Sequence, residues 1–70
     1  GVVDCALMEP DGITIIDFKT DKVTVETVTS AAERYREQVE TYAEAMHRIF
    51  EMPIKAKYLY FFQLDQFVQM

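Results

Sequence analysis

The 70-residue sequence predicts a small α/β domain with a mixed sheet, in the order β-hairpin, helix, strand and a short final strand. Three observations carry this. Two apolar runs flank a Glu9-Pro10-Asp11-Gly12 turn. A three- and four-residue apolar spacing fills the middle of the chain, and an alternating aromatic run, Ile54 to Phe62, follows it.

Residues 1–8 (GVVDCALM) are apolar on both faces, as in a strand covered on both sides, with Asp4 the exception. In the turn, Pro10 suits the second turn position, and Gly12 tolerates backbone angles that other residues avoid. Residues 13–18 return as the second strand. The hairpin register is open. With Met8 opposite Ile13, paired positions sum to 21 and Asp4 faces Asp17, their Cβ atoms roughly 4.5–5.5 Å apart. A three-residue loop with a glycine bulge shifts the sum to 22 and sends the two acids to opposite faces.

Residues 21–29 are polar and threonine-rich, and read as a loop, with Val23, Val25 and Val28 interspersed. Such a loop is long enough to move without a bound partner. Ser30, Ala31, Ala32 and Glu33 form a capping box, so a helix is expected from about Ala31 to about Glu51, stopped by Pro53. Its apolar stripe is Tyr35, Val39, Tyr42, Ala45, Met46, Ile49 and Phe50. Glu33, Arg36, Glu37, Glu40, Glu44, His47 and Arg48 make a solvated face. The Ile54 run is then a strand, parallel to the second one through a right-handed crossover. Residues 67–70 form the last, short strand. Lys55 and Lys57 share a face with Leu59 and Phe61, and serve either edge-strand solubility or contact with a nucleic-acid backbone.

Composition limits what the chain does. Half its residues are hydrophobic, and Tyr and Phe are abundant, which is a globular composition. A chain this short buries only about 60% of its unfolded surface. A net charge of −5 disfavours docking on nucleic acid by charge alone, although acidic ligands that hold a cation reverse this locally. The single cysteine, Cys5, excludes an internal disulfide and an intrachain Cys-ligated cluster. The sequence shows no signal-peptide pattern and no membrane-length apolar run, and a cytoplasmic location is the expectation. The chain opens inside a strand-like run, as expected of a fragment of a longer protein.

Asp17 and Lys19 are two apart, so they share one face of the second strand. A strand this apolar rarely buries a carboxylate and an ammonium without a task. Two readings stand. Asp17 helps to hold a divalent metal while Lys19 works on the adjacent water or phosphate, or the pair sits where the strand end reaches solvent. Gln38 lies one turn before Tyr42 on one helix face. It is either an amide at the core edge or a polar group aimed, with Tyr42, at Asp17 and Lys19.

Phosphodiester hydrolysis needs a positioned water, neutralised phosphate charge and help for the leaving oxygen, which a divalent metal between carboxylates supplies. Mg2+, with Mn2+ as a substitute, prefers oxygen ligands and keeps several waters, so Asp4, Asp17 and the Phe18 backbone carbonyl suffice from the protein. Lys19 could orient or deprotonate the attacking water, or stabilise charge on phosphate. No glycine-rich phosphate loop competes.

These residues resemble a family. Gly1, Val2, Val3 and Asp4, then Ile15 to Asp21 (IIDFKTD), then Tyr35 and Gln38 to Tyr42 (QVETY) are similar to the PD-(D/E)XK nucleases of the RecB type. The Asp17-Phe18-Lys19-Thr20-Asp21-Lys22 run, with Arg34 to Gln38 and the aromatic strand, is most like the C-terminal nuclease domains of AddA-type helicase–nuclease proteins. The resemblance implies Asp4 and Asp17 as metal ligands, Lys19 as the catalytic lysine, and Gln38 and Tyr42 as the Gln-x-x-x-Tyr pair. It implies a partial restriction-endonuclease-like core over residues 1–70, lacking the family's first helix, first strand and an upstream metal-site residue. The implied function is a magnesium-dependent exonuclease on single-stranded DNA. It would be part of an ATP-dependent helicase/nuclease in double-strand break repair and recombination, with an AddB-type partner subunit. The isolated fragment is then expected to bind metal weakly and cut poorly, and its uncovered sheet surface invites self-association. A non-catalytic interaction or scaffold module with a relict nuclease fold is the competing reading.

Overall fold

The computed structural model describes residues 5–70. Strand β1 (Cys5–Glu9) and strand β2 (Gly12–Lys19) form an antiparallel hairpin. Helix α1 (Val28–Arg34) and helix α2 (Arg36–Phe50) lead to β3 (Ile54–Phe61), which lies parallel to β2. Strand β4 (Gln66–Gln69) folds back antiparallel on β3. The sheet order is β1-β2-β3-β4, the mixed sheet expected from the sequence.

The hairpin takes the register that sums to 21. Met8 pairs with Ile13, Cys5 with Ile16, and Glu9 with Gly12. Gly12 makes this closure possible. Its φ is +145°, and a Cβ there would lie 2.8 Å from the Pro53 carbonyl oxygen, the atom that accepts the Ile13 N–H at 2.9 Å. Gly12→Ala is therefore expected to destabilise the hairpin by about 1–3 kcal/mol, seen as faster amide exchange along β2.

β2 is buried along most of its length because α1 and α2 cover one face while β1 and β3 flank it. Ile13 and Ile15 pack with Ala43 and Met46 of α2 in one core cluster. Leu59 and Phe61 pack with Val23, Val28, Ala31, Ala32 and Val39 in the other. Each of the large side chains among them contributes roughly 1.5–3 kcal/mol by leaving water. The opposite sheet face carries an aromatic ladder. Phe18 stacks on Phe62 at 5.7 Å between ring centroids, and Tyr60 packs on Phe67 at 4.8 Å.

The helical segment departs from expectation in three ways. Helix begins at Val28 rather than Ala31, so Ser30 lies inside the first turn and does not cap it. Instead, Thr24 and Thr27 form a reciprocal turn, in which the Thr24 N–H donates to Thr27 Oγ1 at 2.9 Å. Second, the helix breaks at Tyr35, which has φ −100° and ψ −2°. Third, Ala45, Ile49 and Phe50 of the expected stripe are exposed, and Val39, Ala43 and Met46 form the buried line. The face that α2 turns to the sheet thus carries the small residue Ala43, which packs with Ile13 and Ile15. α2 ends at Glu51 in the left-handed conformation, two residues before Pro53.

The loop after β2 is anchored rather than free, since Val23 and Val28 are both in the core. β3 is an interior strand, so the edge-strand role expected for Lys55 and Lys57 does not apply. A register shift at Ile13/Thr14 leaves Lys55 as an extra residue on β3. Its ammonium meets Asp11 at 3.3 Å and Glu9 at 3.5 Å, which ties β3 to the hairpin turn. Lys57 is half-buried. Among the described residues, no helix is long and apolar enough to cross a membrane.

Candidate functional site: a buried acid and lysine on β2

Asp17 and Lys19 continue the row of Ile13 and Ile15 along the helix-covered face of β2. Their neighbours on β3 are Leu59 beside Asp17 and Phe61 beside Lys19. Both neighbours are fully buried. The charged pair is therefore inside the domain, with Asp17 1% and Lys19 9% exposed, and the solvent-exposed reading of the pair is excluded.

Lys19 Nζ lies 3.1 Å from Asp17 Oδ2. Neither carboxylate oxygen accepts a well-aligned hydrogen bond from the described residues, although both are buried. The ion pair is close enough for strong attraction, but its donor geometry gives the carboxylate no well-aligned hydrogen bond among the described residues. A buried carboxylate without such bonds is costly to maintain, and folded proteins keep few of them.

Lys19 has a second contact. Its ammonium sits over the Tyr35 ring, 4.0 Å from the centroid. The break between α1 and α2 sets the backbone at this point: the Tyr35 N–H donates to Ala32 O, and Tyr35 O accepts the Val39 N–H, both at 3.0 Å. The Tyr35 hydroxyl donates to Asp21 Oδ2 at 2.6 Å. The Arg34 guanidinium is 3.8 Å from the same oxygen. Four residues from β2, the following loop and the helix junction thus form a line: Asp17, Lys19, Tyr35 and Asp21.

The hydrogen bond to Asp21 raises the Tyr35 pKa above the ordinary phenol value, with burial and the Asp21 charge adding to it. A raised pKa in the folded state means that this contribution to stability is complete below the ordinary tyrosine pKa of about 10 and declines as pH rises through the higher folded value. In an ultraviolet pH titration, the tyrosinate signal of Tyr35 is expected late, and Asp21→Ala is expected to bring it back towards the ordinary range.

The other residues expected at the site are placed as follows. Asp4 lies outside the described residues. The register required to bring it to Asp17 is the one seen from Cys5 to Glu9. Phe18 lies between Asp17 and Lys19, and its ring belongs to the opposite face, edge-on to Tyr60 at 5.8 Å. Gln38 is half-buried in the first turn of α2. Tyr42 packs beside the Ile13, Ile15, Ala43 and Met46 cluster. α2 therefore runs antiparallel to β2, from Tyr35 at Lys19 down to Met46 at the Ile13 end. The ring in contact with Lys19 is that of Tyr35, seven residues before Tyr42. The spacing contains this signal, since positions 35, 38 and 42 share a face. Nothing in the local pattern of the loop points to Asp21 as the hydroxyl acceptor.

The donor chemistry suits a hard divalent cation. Asp17 offers carboxylate oxygens without other hydrogen-bond partners among the described residues, and oxygen is the ligand type that Mg2+ prefers. Among the described residues there is no cluster of three or more His, Cys, Asp or Glu side chains suited to a metal. The described residues therefore do not by themselves supply a complete set of side-chain ligands.

No protein-family model matches the chain. It is 45% identical over 62 residues to an ATP-dependent helicase/nuclease subunit of Acetivibrio thermocellus, a match that covers 89% of this chain and 5% of that protein. It is 39% identical over 69 residues to the protein of the same name from Clostridium botulinum, covering 99% of this chain and 5% of that protein. The Desulforudis audaxviator protein of that name is 38% identical over 60 residues, covering 86% of this chain and 5% of its own length. The similarity runs through β2, both helices and β3, the elements that hold Asp17, Lys19 and Tyr35. The chain belongs to this family of ATP-dependent helicase/nuclease proteins, the AddA type, and spans about 5% of the length of the curated relatives it matches.

Proposed function

We propose that this chain is the metal-dependent nuclease portion of an ATP-dependent helicase/nuclease, with a PD-(D/E)XK site that hydrolyses DNA phosphodiesters. The observation that carries the reading is the Asp17 carboxylate. It is 1% exposed, 3.1 Å from the Lys19 ammonium, and without a hydrogen-bond donor to either oxygen among the described residues. The names of the relatives supply the class of activity. Asp17, with Asp4 and the Phe18 backbone carbonyl, would hold the cation, Mg2+ or Mn2+. When bound, the cation would neutralise phosphate charge and make water a better nucleophile.

The chain's own groups have defined tasks. Lys19 presents an ammonium at the edge of the carboxylate, where it can orient a water or bind a phosphate oxygen. Leu59, Phe61 and Val39 keep bulk water away and so strengthen every charge interaction at the pair. Gln38 and Tyr42, on the covering helix, would hold the strand of substrate or the lysine. The substrate is single-stranded DNA. The biological setting is double-strand break repair and recombination in the cytoplasm, beside an AddB-type partner subunit.

The test is DNA cleavage by the full-length protein with Asp17→Asn. Magnesium-dependent degradation of single-stranded DNA is expected to fall by about 100-fold or more, while ATP hydrolysis is retained. Undiminished cleavage by Asp17→Asn would remove the metal role of this carboxylate.

A further inference from the structure

We propose that Tyr35 is the positioning residue for Lys19: its ring face holds the ammonium against the Asp17 carboxylate, and its hydroxyl, bonded to Asp21, locks the ring in place. The inference rests on the nuclease reading, since it concerns the lysine on which that reading depends.

The geometry explains why such a device is needed. A lysine side chain has four rotatable bonds and a point charge at its end, so the backbone of β2 alone does not place Nζ. One contact, to Asp17 Oδ2 at 3.1 Å, comes from the same strand. The second comes from a separate element, the helix junction, where the ring centroid stands 4.0 Å from Nζ. Two contacts from different elements fix a position that either alone would leave loose.

The chemistry of the second contact matters. An aromatic face attracts a cation through its quadrupole but offers no lone pair that would take up a proton directed at it. The ring therefore restrains the ammonium without acting as a strong competing acceptor. The N–H bonds of Lys19 remain for Asp17 and for a water or phosphate oxygen. A carboxylate in place of the ring would hold the lysine more tightly and occupy those donors.

The hydroxyl supplies the anchor. At 2.6 Å from Asp21 Oδ2 it ties the ring to the loop that leaves β2 two residues after Lys19. Arg34, 3.8 Å from the same oxygen, steadies the acceptor. Tyr35 stands at the junction of α1 and α2, with φ −100° and ψ −2°, and from there its ring meets the Lys19 ammonium.

The test compares full-length proteins with Tyr35→Phe, Tyr35→Leu and Asp21→Ala, using single-stranded DNA and magnesium. Tyr35→Leu, which removes the ring, is expected to lower kcat for cleavage by about 10–100-fold with KM within about twofold. Tyr35→Phe keeps the ring face and is expected to recover most of that loss. Asp21→Ala is expected to match Tyr35→Phe, and the two together are expected to be no worse than either alone. ATP hydrolysis and KM report folding in the same preparations, and Tyr35→Met replaces Leu if the latter disturbs packing. Equal kcat in the wild type and Tyr35→Leu, with cleavage abolished by Lys19→Ala, would overturn the positioning role alone. So would a Tyr35→Phe enzyme as slow as Tyr35→Leu beside an Asp21→Ala enzyme at the wild-type rate, since the effect would then lie neither in the ring nor in its anchor. Full cleavage by Lys19→Ala would instead remove the nuclease reading, and the inference with it.

Discussion

Lys19→Ala in the full-length protein is expected to lower DNA cleavage by about 10²–10⁴-fold, the usual range for loss of a positioned acid–base group. The expectation follows from location. Lys19 is 9% exposed, and its ammonium is held between a carboxylate at 3.1 Å and an aromatic ring at 4.0 Å. No water could replace a fixed charge in that space without losing both contacts. Lys19→Arg separates chemistry from folding. A guanidinium keeps the positive charge beside Asp17, so the fold should survive. It does not lose a proton at working pH, and its planar fork does not reproduce the position of Nζ. Cleavage should therefore stay low in Lys19→Arg while ATP hydrolysis continues. Steady-state kinetics of both activities in one preparation check this, and near-normal cleavage by Lys19→Ala would show that the ammonium is not part of the chemistry.

Lys19→Met is expected to destabilise the region around β2 by about 3–5 kcal/mol when no divalent metal is present, because it leaves Asp17 charged, buried and unpaired. Asp17 is 1% exposed and has no hydrogen-bond donors among the described residues to soften that loss. The double variant Asp17→Leu/Lys19→Met removes both charges and fills the row with apolar groups like those of Ile13 and Ile15. It is expected to recover most of the stability and none of the cleavage. Amide hydrogen exchange along β2 in the metal-free protein measures the first effect, and added Mg2+ should slow exchange in the wild type by occupying Asp17. If the double variant is as unstable as Lys19→Met, the pair is not the source of the cost. The comparison bears on function, because a pair whose removal costs no stability is retained for what it does chemically.

Much of this arrangement was legible in the order of residues. The turn at Pro10, Asp11 and Gly12 specified a hairpin but left its register open, and only the folded two-residue turn chose the sum of 21. The strand period put Asp17 and Lys19 on one face, and that face is the buried one. The helical crossover implied the parallel pairing of β2 with β3. Apart from that register, each of these depends on neighbours a few positions apart, so the local pattern carries them.

What lay beyond the local pattern depended on how the elements meet. The apolar spacing from Tyr35 to Phe50 admitted several buried faces, and packing against the sheet chose Val39, beside Leu59 and Phe61, and Ala43 and Met46, beside Ile13 and Ile15, while leaving Ile49 70% exposed. The capping-box letters at Ser30 to Glu33 competed with the burial of Val28 and Ala31, and burial prevailed, because two core side chains outweigh one cap. The contact of Lys19 with Tyr35 joins residues 16 positions apart, and the bond to Asp21 joins residues 14 apart. Such contacts exist only once α2 lies against β2. A chain's periodicity says which side of a strand or helix is apolar, and three-dimensional packing alone says which polar group on one element meets which on another.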